Sequence, residues 1–128
     1  MILVDTDVLV DCLRGTLPAR NWLEQAGAEV LGIPGIVAME LLVGCRNGAE
    51  LARVQQFLGT FPVVWPEAIE FALAYELLAA HRLTSGLSIP DCVIAAMSLH
   101  RNARLCSFNA KHFQIIPGID VQEPYSRQ

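Results

Sequence analysis

Apolar residues along this chain fall into short unbroken runs that alternate with longer stretches at helical spacing. The first run, Ile2-Leu3-Val4, is too short for a helix and stops at Asp5, which predicts a strand buried on both faces. A helix follows from about Asp7 to Arg14 and is stopped by Gly15. Pro18 opens a second helix, which runs through Trp22 and Leu23 to about Ala26, with Gly27 after it. The segment EVLGIP (29–34) predicts a second strand. From Ile36, the residues Val37, Leu41, Leu42 and Cys45 recur at helical spacing, with Glu40 among them and Gly48 near the end. Residues 50–58 form an amphipathic helical pattern, and FPVVW (61–65) a third short strand.

The longest helical pattern covers 66–84 and is broken at Gly86. IPDCVIAAMSLHRN (89–102) predicts an apolar helix with Pro90 and Asp91 at its entrance. ARLCSFN (103–109) reads as a strand running into polar residues, and a weak last strand lies near 119–121. Short apolar strands separated by helices specify an α/β fold, a three-layer sandwich with a mostly parallel central sheet. No repeat, low-complexity tract or linker interrupts it, so residues 1–128 are expected to make a single domain.

Composition narrows the picture. Hydrophobic residues make up 53% of the chain and charged residues 17%, as in a globular protein. Every apolar stretch is interrupted before reaching the roughly 20 residues of a membrane helix, and no signal-peptide pattern precedes the first run. The four cysteines (Cys12, Cys45, Cys92, Cys106) lack metal-ligand spacing and lie in apolar contexts. They are expected to be reduced and buried, which suits a cytoplasmic protein. Net charge is −4 and Lys111 is the only lysine, which argues against tight nonspecific duplex binding. An acidic site that meets phosphate through divalent cations remains compatible with that charge.

The chemistry therefore rests on carboxylates. Asp5, Asp7 and Asp11 crowd into seven residues, Glu40 sits inside PGIVAMELLVG, and Asp91 opens the apolar helix. Ligands of parallel sheets bind beyond the carboxyl ends of the strands, where Asp5 and Asn109 are expected. Hard divalent cations take oxygen ligands, so these distant segments would make a metal site if the fold unites them. Each residue also has an ordinary role. Asp91 is a natural helix N-cap, Asp7 a cap or a support, and Asp11 a solvent-exposed charge. Glu40 on a largely buried helix, and Asp5 at the end of an apolar strand, are harder to explain that way.

ILVDTDVLVD, VAMELLVG, IPDCVIAAMSL and LCSFNAKHF resemble, in order and spacing, the four signature segments of PIN-domain ribonucleases. In size the chain is similar to the stand-alone VapC-type toxins of bacterial toxin–antitoxin pairs. The resemblance implies a PIN-like fold and a Mg²⁺- or Mn²⁺-dependent endoribonuclease. It implies that Asp5, Glu40 and Asp91 are the acidic catalytic and metal-site positions. Thr6 matches the hydroxyl residue after the first aspartate, and Ser107 the Ser/Thr of the final motif. Asp7 stands where Asn is frequent, Asn109 where many members carry a fourth Asp, and His112 where an acidic residue is often found. The family also implies an antitoxin partner that inserts a segment at the site, and a homodimer, for which the apolar helices of 36–58 are the expected surface.

Rival motifs fit less well. DTDVLVD also looks like the opening of haloacid-dehalogenase phosphatases, but Lys111 leaves no room for their downstream acidic pair. A receiver domain needs a central phosphoacceptor Asp, and none lies between Asp11 and Asp91. The rival of a different class is a catalytically weak PIN-like RNA- or protein-binding module, with Asn109 and His112 marking a degraded site. His81 and His100 are expected on helix surfaces. Substrate selectivity would come from Arg14, Arg46, Lys111 and His112 around the site, and few aromatics are available to stack bases. That favours structured RNA as the target.

Overall fold

A computed structural model describes residues 1–27 and 30–127. The elements follow in the order β1 (Ile2–Val4), α1 (Thr6–Arg14), α2 (Leu17–Ala26), β2 (Leu31–Pro34), α3 (Gly35–Val43), α4 (Gly48–Leu58), β3 (Val63–Val64), α5 (Ala68–Ser85), α6 (Ile89–Arg101), β4 (Arg104–Cys106), α7 (Ala110–Phe113) and β5 (Val121–Gln122). The expected start of the second strand, Glu29, lies outside the described residues; the strand is seen from Leu31.

The five strands form one sheet in the order β3-β2-β1-β4-β5, and all four pairings are parallel. From β1 the chain steps outward through β2 to β3, then returns past β1 to place β4 and β5 on its other side. Crossovers of one hand that run in opposite directions lie on opposite faces of a sheet, which gives the layered α/β sandwich expected from the sequence. The same reversal makes the gap between β1 and β4 a switch point, open beyond the strand ends.

The strands are short but centrally buried. Leu3, Val4, Leu31, Ile33 and Leu105 are fully enclosed, as are Ile94 and Met97 of α6 and Phe113 of α7. Full enclosure of such a side chain stabilises by roughly 1.5–3 kcal/mol, so this centre holds the strand ends rigidly. Helix ends obey local rules: Gly15, Gly86 and Asn102 adopt left-handed conformations that terminate α1, α5 and α6. At Gly35 the Trp65 ring lies against the backbone, and a Cβ there would fall 2.2 Å from it. Only glycine lets the Trp65 ring, just past β3, lie so close to the first turn of α3. Among the described residues, no helix is long and apolar enough to cross a membrane.

Candidate active site

Asp5 leaves the sheet at the switch point. Its backbone N–H still donates to Cys106 of β4 at 3.0 Å, continuing the β1–β4 pairing for one more residue. Its side chain then caps α1, accepting from the Thr6 N–H at 2.8 Å. The other carboxylate oxygen accepts from Ser107 Oγ at 2.7 Å, and Ser107 in turn accepts from the Asn109 N–H at 3.0 Å. A fully buried Ser107 thus orients Asp5 across the end of the sheet.

Glu40 projects from α3 toward the same opening, where Thr6 Oγ1 donates to it at 3.2 Å. The helix is less enclosed at this point than its sequence suggested, because Met39 and Glu40 are both exposed. Glu40 therefore faces a cleft and not the core. Asp91 also departs from expectation. Ser88, not Asp91, caps α6; Asp91 is the third helical residue of a capping box. Its carboxylate accepts from the Ser88 N–H at 3.1 Å and lies 3.5 Å from His112 Nε2.

Asp5, Thr6, Glu40 and Asp91 line an open cleft of about 460 Å³, joined by Asp7, Phe108, Asn109 and Arg127. Asp7 is no cap: one oxygen accepts from the Phe108 N–H at 3.1 Å, tying α1 to the turn after β4. Its other oxygen, Oδ1, is buried with no hydrogen-bond partner among the described residues. Burial, and then the charge of Asp5, pushes the Asp7 carboxyl up to about 6, against the Val8 and Phe108 N–H groups and the charge of Arg127. Burial likewise raises Asp5, opposed by the Ser107 and Thr6 hydrogen bonds, and Asp91 adds its repulsion. Glu40 is raised by burial, against the Thr6 bond, with the charges of Asp5 and Asp91 adding to the rise.

Crowded carboxylates with the Thr6 hydroxyl among them, and an orphaned buried oxygen on Asp7, make a donor set suited to a hard divalent cation. A tighter cluster exists elsewhere. The ligand atoms of Glu67, Glu70 and His100 all lie within 4.8 Å of one another. Glu70 there already holds Arg101 at 2.8 and 2.9 Å and His100 at 3.0 Å, so it is an ion-pair knot joining α5 to α6. A carboxylate saturated by a guanidinium has little left to offer a metal ion.

Two residues differ from expectation, Asp11 and Cys45. Asp11 is buried, not a surface charge. Arg127 holds it through two hydrogen bonds, and Tyr125 Oη donates to it at 3.0 Å. Arg127, then Tyr125, keeps its carboxyl below the usual range in spite of burial. Cys45 is half-buried, whereas the other three cysteines are enclosed. His100 does reach the surface of α6, yet also serves the buried Glu70. Of the proposed substrate-facing cations, Arg46 is engaged by Glu50 at 2.7 Å, and only His112 approaches a cleft carboxylate. Arg127 was not expected at the site; its one sequence cue is an arginine two residues after Tyr125 beyond the weak last strand.

The PIN domain family model matches residues 2–118. Ribonuclease VapC19 of Mycobacterium tuberculosis is 34% identical over 133 residues, which span 98% of this chain and 100% of that protein. A toxin–antitoxin complex from Klebsiella pneumoniae contains a chain of 29% identity and TM-score 0.75, with 99% of this chain and 100% of that one covered. DNA-bound VapBC from Salmonella typhimurium, at 22% identity and TM-score 0.82 over 96% of this chain and 97% of that one, shares the fold. With its four signature segments meeting at one cleft and a family match over nearly its whole length, the chain belongs to the PIN domain family.

Proposed function

We propose that this single-domain protein is an endoribonuclease, the toxin of a type II toxin–antitoxin pair, hydrolysing RNA phosphodiester bonds in the cytoplasm with Mg²⁺ or Mn²⁺. One observation carries the reading: Asp5, Glu40 and Asp91, from three distant segments, line one cleft at the switch point of the sheet. Asp5 and Asp91 would hold the ion, with Glu40 beside them directly or through water. When bound, such an ion acidifies a water and neutralises charge on the attacked phosphate. The protein's own residues prepare the place. Ser107 and the Thr6 N–H orient Asp5, Thr6 Oγ1 steers Glu40, and His112 with the Ser88 N–H fixes Asp91. Asp7 pins the Phe108 turn, which carries Asn109 to the cleft edge.

The rival module of weak activity is not favoured, because Asp5, Glu40 and Asp91 line one cleft and the relatives the chain resembles are ribonucleases. Cleavage of cellular RNA with Mn²⁺, Mg²⁺ or chelator, followed by mapping of new 5′ ends, tests the function. Metal-dependent cuts confined to one or a few loops are expected. Cuts scattered over messages would refute a structured target, and none at all would refute the enzyme. Ser107→Ala removes the donor that orients Asp5 but leaves the carboxylate. Metal affinity read by calorimetry should fall by about 10-fold or more; unchanged affinity would detach Ser107 from the site.

An antitoxin carrying a basic side chain would match this acidic cleft electrostatically. A second copy would cover the apolar surface of 36–58, where Met39, Val43 (86% exposed) and Leu51 face solvent. Elsewhere α5 exposes Phe71 and Tyr75, one turn apart, and Leu83. Val43→Glu should convert a dimer to monomer in sedimentation, while Leu83→Glu leaves it dimeric. Wild-type monomer at micromolar concentration, or the reverse response, overturns that assignment.

A further inference from the structure

Beyond β5, Tyr125 packs its ring edge-on to Phe108, with centroids 5.0 Å apart, and against Trp22 at 6.2 Å. These contacts carry the chain back over the cleft, where the Arg127 guanidinium lies 3.9 Å above the Phe108 ring centroid. Its Nε and Nη2 are committed: Nε donates to Asp11 Oδ2 at 3.0 Å, and Nη2 to Asp11 Oδ1 at 3.1 Å and the Asp7 carbonyl at 3.3 Å. Nη1 makes no hydrogen bond among the described residues. The side chain keeps 48% of its exposure and lines the cleft beside the carboxylates. It is the only cation among the cleft-lining residues described.

An arginine near a chain end is ordinarily solvated and many-conformered. This one is held by a ring face, a bidentate carboxylate and a backbone carbonyl, which removes the rotamer freedom that a binding partner would otherwise have to freeze. An RNA backbone entering a cleft of carboxylates meets repulsion that a positioned guanidinium relieves, and guanidinium N–H groups suit phosphate oxygens. We propose that Arg127 is the substrate anchor of the cleft, its Nη1 edge donating to a non-bridging oxygen of an RNA phosphate next to the scissile one. Asp11 and Tyr125 are its positioning residues. The inference rests on the ribonuclease reading above and adds to it a residue outside the four signature segments.

The test uses the full chain, Mn²⁺ and a fluorescein-labelled RNA oligonucleotide that the wild type cleaves. KM, kcat and the salt dependence of KM are measured for the wild type, Arg127→Ala, Arg127→Gln, Arg127→Lys and Tyr125→Phe, with thermal melts of each. Loss of the charge should raise KM about ten-fold with kcat within about two-fold. The slope of log KM against log salt should flatten by about 0.7, the share of one single-strand phosphate contact. Arg127→Lys should restore the slope but not the full affinity, and Tyr125→Phe should raise KM while keeping the slope. A merely structural role would shift melting and leave the slope alone. Unchanged KM and slope in the Ala and Gln variants overturn the proposal, as does faster cleavage, which would make the guanidinium a brake. If the wild type itself cleaves no RNA with metal, the ribonuclease reading fails instead. Anisotropy of a fluorescein-labelled hairpin RNA with the same variants then judges the phosphate contact: equal affinity for wild type and Arg127→Gln overturns it.

Discussion

On the proposed reading, Asp5→Asn and Asp91→Asn are each expected to abolish metal-dependent RNA cleavage while the protein stays folded. Changing groups that merely orient metal ligands costs roughly 10–100-fold, so neutralising a ligand itself should cost more than about 100-fold in turnover. The side-chain volume is kept, and an amide oxygen can still cap α1 at Asp5. Folding should therefore survive in both. In chelator the Asp5 variant should melt no lower than the wild type, because it removes a charge that helps push Asp7 up to about 6. The sign follows from that shift. A carboxyl raised from 3.8 to about 6 in the folded state costs stability as pH climbs through that interval, and the cost is complete above it. Bound cation should repay the wild type at neutral pH, by about 2.7 kcal/mol at a concentration 100 times its dissociation constant, and the variants far less. Wild-type turnover in either purified variant would remove the metal assignment.

Arg101→Ala is expected to lower stability by about 3 kcal/mol, to be read by urea unfolding at pH 7. Glu70 is fully enclosed between α5 and α6, and its two oxygens are shared by Arg101, His100 and the Glu67 N–H. Burial alone would raise its carboxyl. The hydrogen bonds from Arg101, Glu67 N–H and His100, with the charge of Arg101, bring it down instead to about 2. Removing the guanidinium leaves a buried charge with a half-exposed histidine and a backbone N–H as its remaining partners. Since domains of this kind are stable by only about 5–15 kcal/mol, the loss is a large share. The pH signature is opposite to that of Asp7. A carboxyl depressed from 4.5 to about 2 contributes its stability in full above 4.5 and loses it as pH falls toward 2. Glu70→Gln should flatten that acid limb. An undiminished acid slope in Glu70→Gln, or an Arg101→Ala loss below about 1 kcal/mol, would show that the knot is not what ties α5 to α6.

Much of the fold was readable along the chain because its rules are local. Apolar runs of a few residues marked the strands, and helical spacing marked the long helices within a few residues of their observed ends. Gly15 and Gly86 stop their helices for a reason any sequence displays: a left-handed residue without a Cβ costs nothing there. Sequence and structure part where burial on one side depends on a neighbour. Glu40 seemed trapped in an apolar helix because the sequence carries no sign that its face opens on a cleft. Asp91 passed for a cap because Ser88 and Asp91 exchange roles within three residues, which composition does not distinguish.

The acidic set itself was legible, since carboxylates ending apolar runs are costly without a purpose and their order matched a family pattern. What brings them together is not local. Thr6 meets Glu40 across 34 positions, Ser107 meets Asp5 across 102, and Arg127 meets Asp11 across 116. Those meetings depend on the strand order, which reverses between β1 and β4 and so opens a cleft beside Asp5. Periodicity is set by each segment's own backbone geometry and can be read one turn at a time. The contact of Glu70 with Arg101 is settled by which helix faces share a face of the sheet, and that of Asp11 with Arg127 by where the chain beyond β5 returns; a charge carries no mark of its partner until the layers are packed.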